Sequence, residues 1–521
     1  MLRARLAAPV PRAGTAMPHD GIWGWIWPLL VTGFGGYLRF NRLVVPRVQI
    51  FDESVYPDDA WSILHHGVEW NLSTNAFDLV LSGGTNIWAT CTHAMYVGDR
   101  CGENVTQPEL GKELIAVGEA IFGLDPFGWR FSSAVFGTLA ILLICRIARR
   151  MTRSTLLGCI AGLLMSLDGL EFVLSRTGML DIYLMFFVLA AFGCMVVDRD
   201  VTLERLAAGP SGDAGPRLGI RRWRVAAGIC VGLAIAVKWD AIWYLLGLAI
   251  LGICWDAGAR RAAGLPSRIR DTFSWLPLTY MVIPLVVYVA TWSDWLFTST
   301  GYLRNYAAQH GVHIPVISAL YSLFEYQKSG VLFGYHLGVS NSAQSQPWDW
   351  LLMTRPPVFY YACYTTPTPN PAHFCENPFG AQWSQEVLAI GTPAIWWGSI
   401  LALIACLGWW LLRRDWRAGA VLCGVIAGWL PWFPLVHRTK YFYYALEFEP
   451  FLILAITVCL GLIIGQASAS LLRRATGFGL AGAYLVVVLL MFLYFYPVLA
   501  GKTIPYSDWL AHMWFTNWYV P

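Results

Sequence analysis

Charge is scarce in this 521-residue chain: Asp, Glu, Lys and Arg together make 13% of it, about half the share of a soluble domain. That excludes a set of soluble domains of the same length, because too little polar material is left to coat them. It also excludes a disordered chain and a nucleic-acid-binding domain as the main architecture. Internal repeats and long low-complexity tracts are absent, which argues against a solenoid. No CxxC pair and no Cys/His spacing suggests zinc. The basic start (Arg3, Arg5, Arg12) leads into a Trp-rich apolar stretch with no small-residue cleavage site beyond it, so the first apolar helix is expected to stay as an anchor.

Hydrophobic residues are abundant, at 57%, of which aromatics make up 15% of the chain. Stretches of about 17–25 apolar residues predict spanning helices, and there are eleven. They fall at roughly 22–39, 129–148, 155–174, 180–197, 223–239, 240–256, 274–294, 393–412, 418–436, 441–465 and 477–496. The fifth and sixth form a hairpin split only by the charges of Lys238 and Asp240. With the N-terminus inside, 22 of the 36 Lys and Arg residues lie in the inner segments, as the positive-inside rule requires. The C-terminus is then outside, together with two long loops, about 40–128 and 295–392, and a tail over 497–521. Long loops are usually functional, so the chemistry is expected on the outer face. Eight of the twelve cysteines fall one per expected helix. The other four lie outside, as Cys91 with Cys101 and Cys363 with Cys375, and local disulfides are expected there.

Candidate residues cluster at the outer ends of the helices. Asp52-Glu53 follows the first span, and adjacent carboxylates raise each other's pKa, which suits a general base. Tyr56 to Leu64 and Glu113 to Phe122 read as short interfacial helices, the second preceded by Gln107-Pro108-Glu109-Leu110-Gly111-Lys112 and followed by Phe127-Gly128-Trp129-Arg130. Lys112 and Arg130 either reach a ligand or only snorkel to headgroups. Asp168, Glu171, Arg176 and Asp181 crowd the turn between the third and fourth spans; the bland reading there is an Arg176–Asp181 pair holding the hairpin. Lys238 and Arg438 complete a ring of cations able to hold an anionic lipid headgroup. Tyr441 and its aromatic neighbours cover a sugar or form an interfacial belt. Asp198-Arg199-Asp200 has the spacing of a metal-binding DxD, but it sits among inner-face arginines and is expected to be structural.

In order, spacing and membrane side these motifs resemble the protein O-mannosyltransferases, membrane glycosyltransferases of the GT-C type, from about residue 22 to 521. The resemblance implies an all-α polytopic membrane protein built as one domain, 1–521. It implies inverting transfer of mannose from polyprenyl-phosphate mannose to Ser or Thr hydroxyls of exported polypeptides at the plasma membrane, on its extracytoplasmic face, with the secretion translocon as a candidate partner. Asp52 and Glu53 are the implied catalytic pair. Arg130, Arg176, Asp181, Lys238, Arg438, Lys112 and Tyr441 are the implied donor-binding set. The chain departs from the family at Gln107, where His is usual, and in lacking a large soluble insert in the second outer loop, as in the simpler bacterial branch. No cofactor is implied, and the adjacent Asp-Glu pair supplies too few oxygens for a metal. Two other readings stand beside this one: a related lipid-phosphate-sugar transferase acting on a glycan or lipid, and a secondary transporter.

Overall fold

A computed structural model describes residues 17–90, 101–103, 107–208, 218, 220–265, 276–338, 343–369, 382–465 and 468–518. A helix lies in each of the eleven expected stretches. Among the described residues, five helices are long and apolar enough to cross a membrane: Pro126–Thr152, Asp181–Ala207, Trp239–Ala262, Pro393–Arg413 and Leu471–Leu499. Their outward faces are apolar, with Leu401 71% and Leu412 74% exposed. Such faces are stable against hydrocarbon, not water. The third expected span is instead two helices, Thr155–Ser166 and Gly169–Leu174. The break is at Asp168, whose Oδ1 caps the second helix by accepting from the Leu170 and Glu171 N–H groups.

Local chemistry sets the helix starts that matter for the site. Pro126 opens the Pro126–Thr152 helix, and Asp125 Oδ1 accepts from Phe127 N and Gly128 N at 2.8 Å each. The interfacial helices form as Tyr56–His66 and Leu110–Phe122. The second packs so closely on the Pro126–Thr152 helix that a Cβ at Gly118 would stand 2.2 Å from the Gly128 carbonyl oxygen. Alanine there would force the helices apart.

One feature departs from the all-α expectation. A three-stranded antiparallel sheet, β1 (Val358–Tyr364), β2 (Trp383–Leu388) and β3 (Thr503–Pro505), joins the second outer loop to the C-terminal tail. Its aromatic and β-branched run favours a pleated surface. The same loop also contains a 22-residue helix, Pro315–His336. The eight cysteines of the helices are free, whereas Cys101 and Cys363 are disulfide-bonded. Cys91 and Cys375 lie outside the described residues.

The expected DxD is structural. Asp198 takes Arg221 at 2.5 Å and Arg224 at 3.0 Å. Asp200 takes Arg150 at 2.8 Å and Arg153 at 2.9 Å. Both carboxylates are spent on guanidiniums.

Candidate active site

The Asp52-Glu53 pair sits in a single 3-10 turn, Phe51–Ser54. Phe51 enters it at φ +52°, a strained conformation for a bulky residue and one found at functional sites. The turn sends the two carboxylates to opposite fates. Glu53 is buried and fully engaged: Oε1 accepts from Arg130 Nε at 2.8 Å and Gly178 N at 2.8 Å, and Oε2 from Arg130 Nη2 at 2.6 Å and Ile50 N at 3.0 Å. A carboxylate has about four acceptor sites, and all are filled.

Asp52 is only half-buried. Its Oδ2 accepts one long hydrogen bond, 3.5 Å, from the Tyr443 hydroxyl. Burial, then the nearby Asp181 carboxylate, push its pKa up to about 6, against the opposing pull of Lys238 and Tyr443. An acid of that strength is ionised at neutral pH and still basic enough to take a proton.

The cations divide in the same way. Arg130, in the donor-binding set that the resemblance implies, sends its five N–H groups to Glu53 and to the carbonyls of Leu43, Pro46 and Val48. Arg176 likewise donates to the carbonyls of Leu38, Arg39, Asn41 and Arg42. It thereby closes the C-terminus of the Trp23–Phe40 helix, whose last carbonyls have no intrahelical partner. The Arg176–Asp181 pair of the bland reading does not form; Asp181 takes Lys238 instead. Lys112 is buried and bound to Glu69, so it neither snorkels nor faces Asp52. All three are held by the protein's own acceptors, because a buried guanidinium or ammonium must be satisfied wherever acceptors are within reach.

Lys238 and Arg438 remain. Lys238 Nζ donates to Asp181 Oδ1 at 2.9 Å and stands 4.7 Å from the centre of the Tyr444 ring. Arg438 lies over the Trp432 ring at 5.0 Å, and its Nε is buried without a hydrogen-bond partner. The Trp432 and Tyr444 rings are 4.8 Å apart, so the two cations flank one aromatic pair. Tyr441 stacks on Tyr443 at 5.6 Å and meets Phe51 edge-on at 5.9 Å. Asp52, the two cations and the aromatic rings are therefore linked in one contact cluster through Tyr443, Tyr444 and Trp432.

Three roles had no signal in the sequence. Tyr443 is the hydroxyl on Asp52, and Tyr444 is the ring under Lys238; both were read only as members of an aromatic run. Phe359, on β1, stacks on Phe51 at 4.4 Å and brings the second outer loop to the Asp52 turn. The Phe51–Phe359 contact joins residues over 300 positions apart, so no spacing rule could find it.

Substituting Arg438 with Ala is expected to raise the donor KM about tenfold or more, the usual contribution of one charge-assisted contact to phosphate. Unchanged donor affinity and rate would remove Arg438 from the site.

The chain is similar to known proteins in both sequence and fold. The family model described as dolichyl-phosphate-mannose-protein mannosyltransferase matches residues 94–293, and that of the C-terminal four-transmembrane region of protein O-mannosyltransferase matches 319–518. The polyprenol-phosphate-mannose–protein mannosyltransferase of Mycobacterium tuberculosis is 37% identical, over 96% of this chain and 93% of its own. Its namesakes in Mycolicibacterium smegmatis and Corynebacterium glutamicum are 36% and 31% identical, over 96% and 94% of this chain and 94% and 91% of their own. In fold, the chain is similar to the Saccharomyces cerevisiae Pmt1-Pmt2 complex bound to its sugar donor (TM-score 0.69, 13% identity, 96% of this chain and 93% of that one). It is also similar to ArnT from Cupriavidus metallidurans bound to undecaprenyl phosphate (TM-score 0.52, 15% identity, 92% and 77%). The chain belongs to the protein O-mannosyltransferase family.

Proposed function

We propose that this protein transfers mannose from polyprenyl-phosphate mannose to Ser or Thr hydroxyls of polypeptides, with Asp52 as the general base. The observation that carries this reading is the unequal pair: Glu53 has every acceptor site filled, whereas half-buried Asp52 has one long hydrogen bond and shares a contact cluster with two cations. Asp52 takes the acceptor proton while the hydroxyl oxygen attacks the anomeric carbon from the face opposite the phosphate, so the configuration inverts. The bond from that carbon to the phosphate oxygen breaks. Arg438 and Lys238 stabilise the departing polyprenyl phosphate, which is already a good leaving group and needs no acid. Tyr441 and the aromatic wall cover the sugar. Glu53 and Arg130 hold the turn that aims Asp52.

The N-terminus is inside the cell, the eleven helical stretches cross the plasma membrane, and the site opens extracytoplasmically, where exported polypeptides emerge from the secretion translocon. The test is an assay of purified enzyme with labelled polyprenyl-phosphate mannose and a Ser/Thr-rich peptide. Label on the peptide supports the reading; label only on glycan or lipid acceptors overturns it.

Two further results are expected from the same assay. Because Asp52 must be ionised to accept a proton, the rate falls as pH drops through about 6; a rate flat between pH 5 and 8 would remove a base of that pKa. Washing with EDTA is expected to leave activity intact, because Glu53 has no oxygen free to join Asp52 on a metal and Lys238 with Arg438 supply the positive charge. Loss of activity restored by Mg²⁺, Mn²⁺ or Ca²⁺ would overturn that expectation.

A further inference from the structure

A groove of about 900 Å³ runs between the Trp23–Phe40 and Thr155–Ser166 helices. Its apolar walls include Trp23, Trp27, Leu30 and Phe34 from one helix and Leu156 and Leu163 from the other. From Trp23 to Phe34 it spans eleven residues, about 16 Å at the helical rise, which is close to half the thickness of a bilayer's hydrocarbon core.

The mouth of the groove, at Asp20, Arg153 and Thr155, is charged. Arg153 and Asp20 line that mouth, and four guanidiniums on and behind it share two carboxylates: Arg149 pairs with Asp20, and Arg150, Arg153 and Arg199 all meet Asp200. Asp20 is further occupied by the Thr155 hydroxyl. Another Arg153 nitrogen faces only the Met17 sulfur, a weak acceptor. Positive charge is thus in excess at one end of an apolar slot one leaflet deep.

We infer that this groove binds one membrane lipid with an anionic headgroup, its phosphate at Arg153 and an acyl chain along Trp27, Leu30 and Phe34. The chain's own first sixteen residues are a poor occupant, since they carry Arg3, Arg5 and Arg12 and no acidic residue. The site is independent of the transfer reaction. The Pro126–Thr152 helix, about 40 Å long, separates its mouth from the end where Arg130 meets the Glu53 turn.

Native mass spectrometry of the full-length enzyme, released from detergent with phosphatidylglycerol or phosphatidylcholine of identical chains, tests this. Expected is retention of one phosphatidylglycerol in about tenfold preference. Arg153→Gln should lose most of that preference, Arg153→Lys should keep it, and Leu30→Trp should fill the slot and expel both lipids. All three variants should keep the parent's mannosyl transfer to peptide, which also shows that they fold. Equal retention of the two lipids by the parent, or a preference unchanged in both Arg153→Gln and Leu30→Trp, would overturn the site. So would tight lipid retention that appears only after residues 2–16 are removed, since the tail would then be the natural occupant.

Discussion

Asp52→Asn is expected to lower turnover by roughly 10²–10⁴, the usual contribution of a positioned general base, with little change in donor KM. Asparagine keeps the size of the side chain and can still accept from Tyr443, but it cannot take the acceptor's proton. The variant should fold like the parent, because Asp52 makes only one long hydrogen bond. Turnover near normal in Asp52→Asn would place the base elsewhere. Tyr443→Phe is a useful companion, since it removes the one hydroxyl on Asp52 and leaves the ring against Phe51. The pH dependence should then shift upward, because that hydrogen bond holds the Asp52 pKa down.

Breaking the Glu53–Arg130 pair should produce a different defect. Both side chains are fully buried, and removing one partner leaves an uncompensated charge, which costs about 3–5 kcal/mol. Arg130→Ala additionally leaves the carbonyls of Leu43, Pro46 and Val48 without their donor. The expected outcome is a clear fall in the thermal midpoint and in yield from the membrane. If Arg130 instead touched the donor phosphate, Arg130→Ala would keep the parent's midpoint and raise only the donor KM. Thermal unfolding in detergent, measured beside donor affinity, separates the two. Glu53→Gln should also destabilise the protein, because an amide turns a donor toward Arg130. Its loss of activity must therefore be read against its loss of folded protein.

The local sequence determined the class of this protein. Low charge and eleven apolar stretches require lipid, since apolar faces of that length have no stable arrangement in water. The two interfacial helices were legible too, the first from Pro57 and the acids after it and the second from the amphipathic run over 113–122, because helix-start signals and periodicity act within a few residues. The sequence also brought attention to Asp52-Glu53, to Lys238 and to Arg438. It could not say which carboxylate stays available, nor which cations are free.

Those questions were decided only by the tertiary structure. Glu53 is consumed by groups 77 and 125 positions away, at Arg130 and Gly178. Arg176 is consumed by carbonyls more than 130 positions away, and Lys112 by Glu69 across 43. In sequence, Arg130 and Arg438 look equally able to bind phosphate. In the fold one has spent all five donors and the other has a buried nitrogen without a partner. A buried charge takes whichever acceptors the packed chain presents, and that choice depends on three-dimensional distance, which residue spacing does not encode.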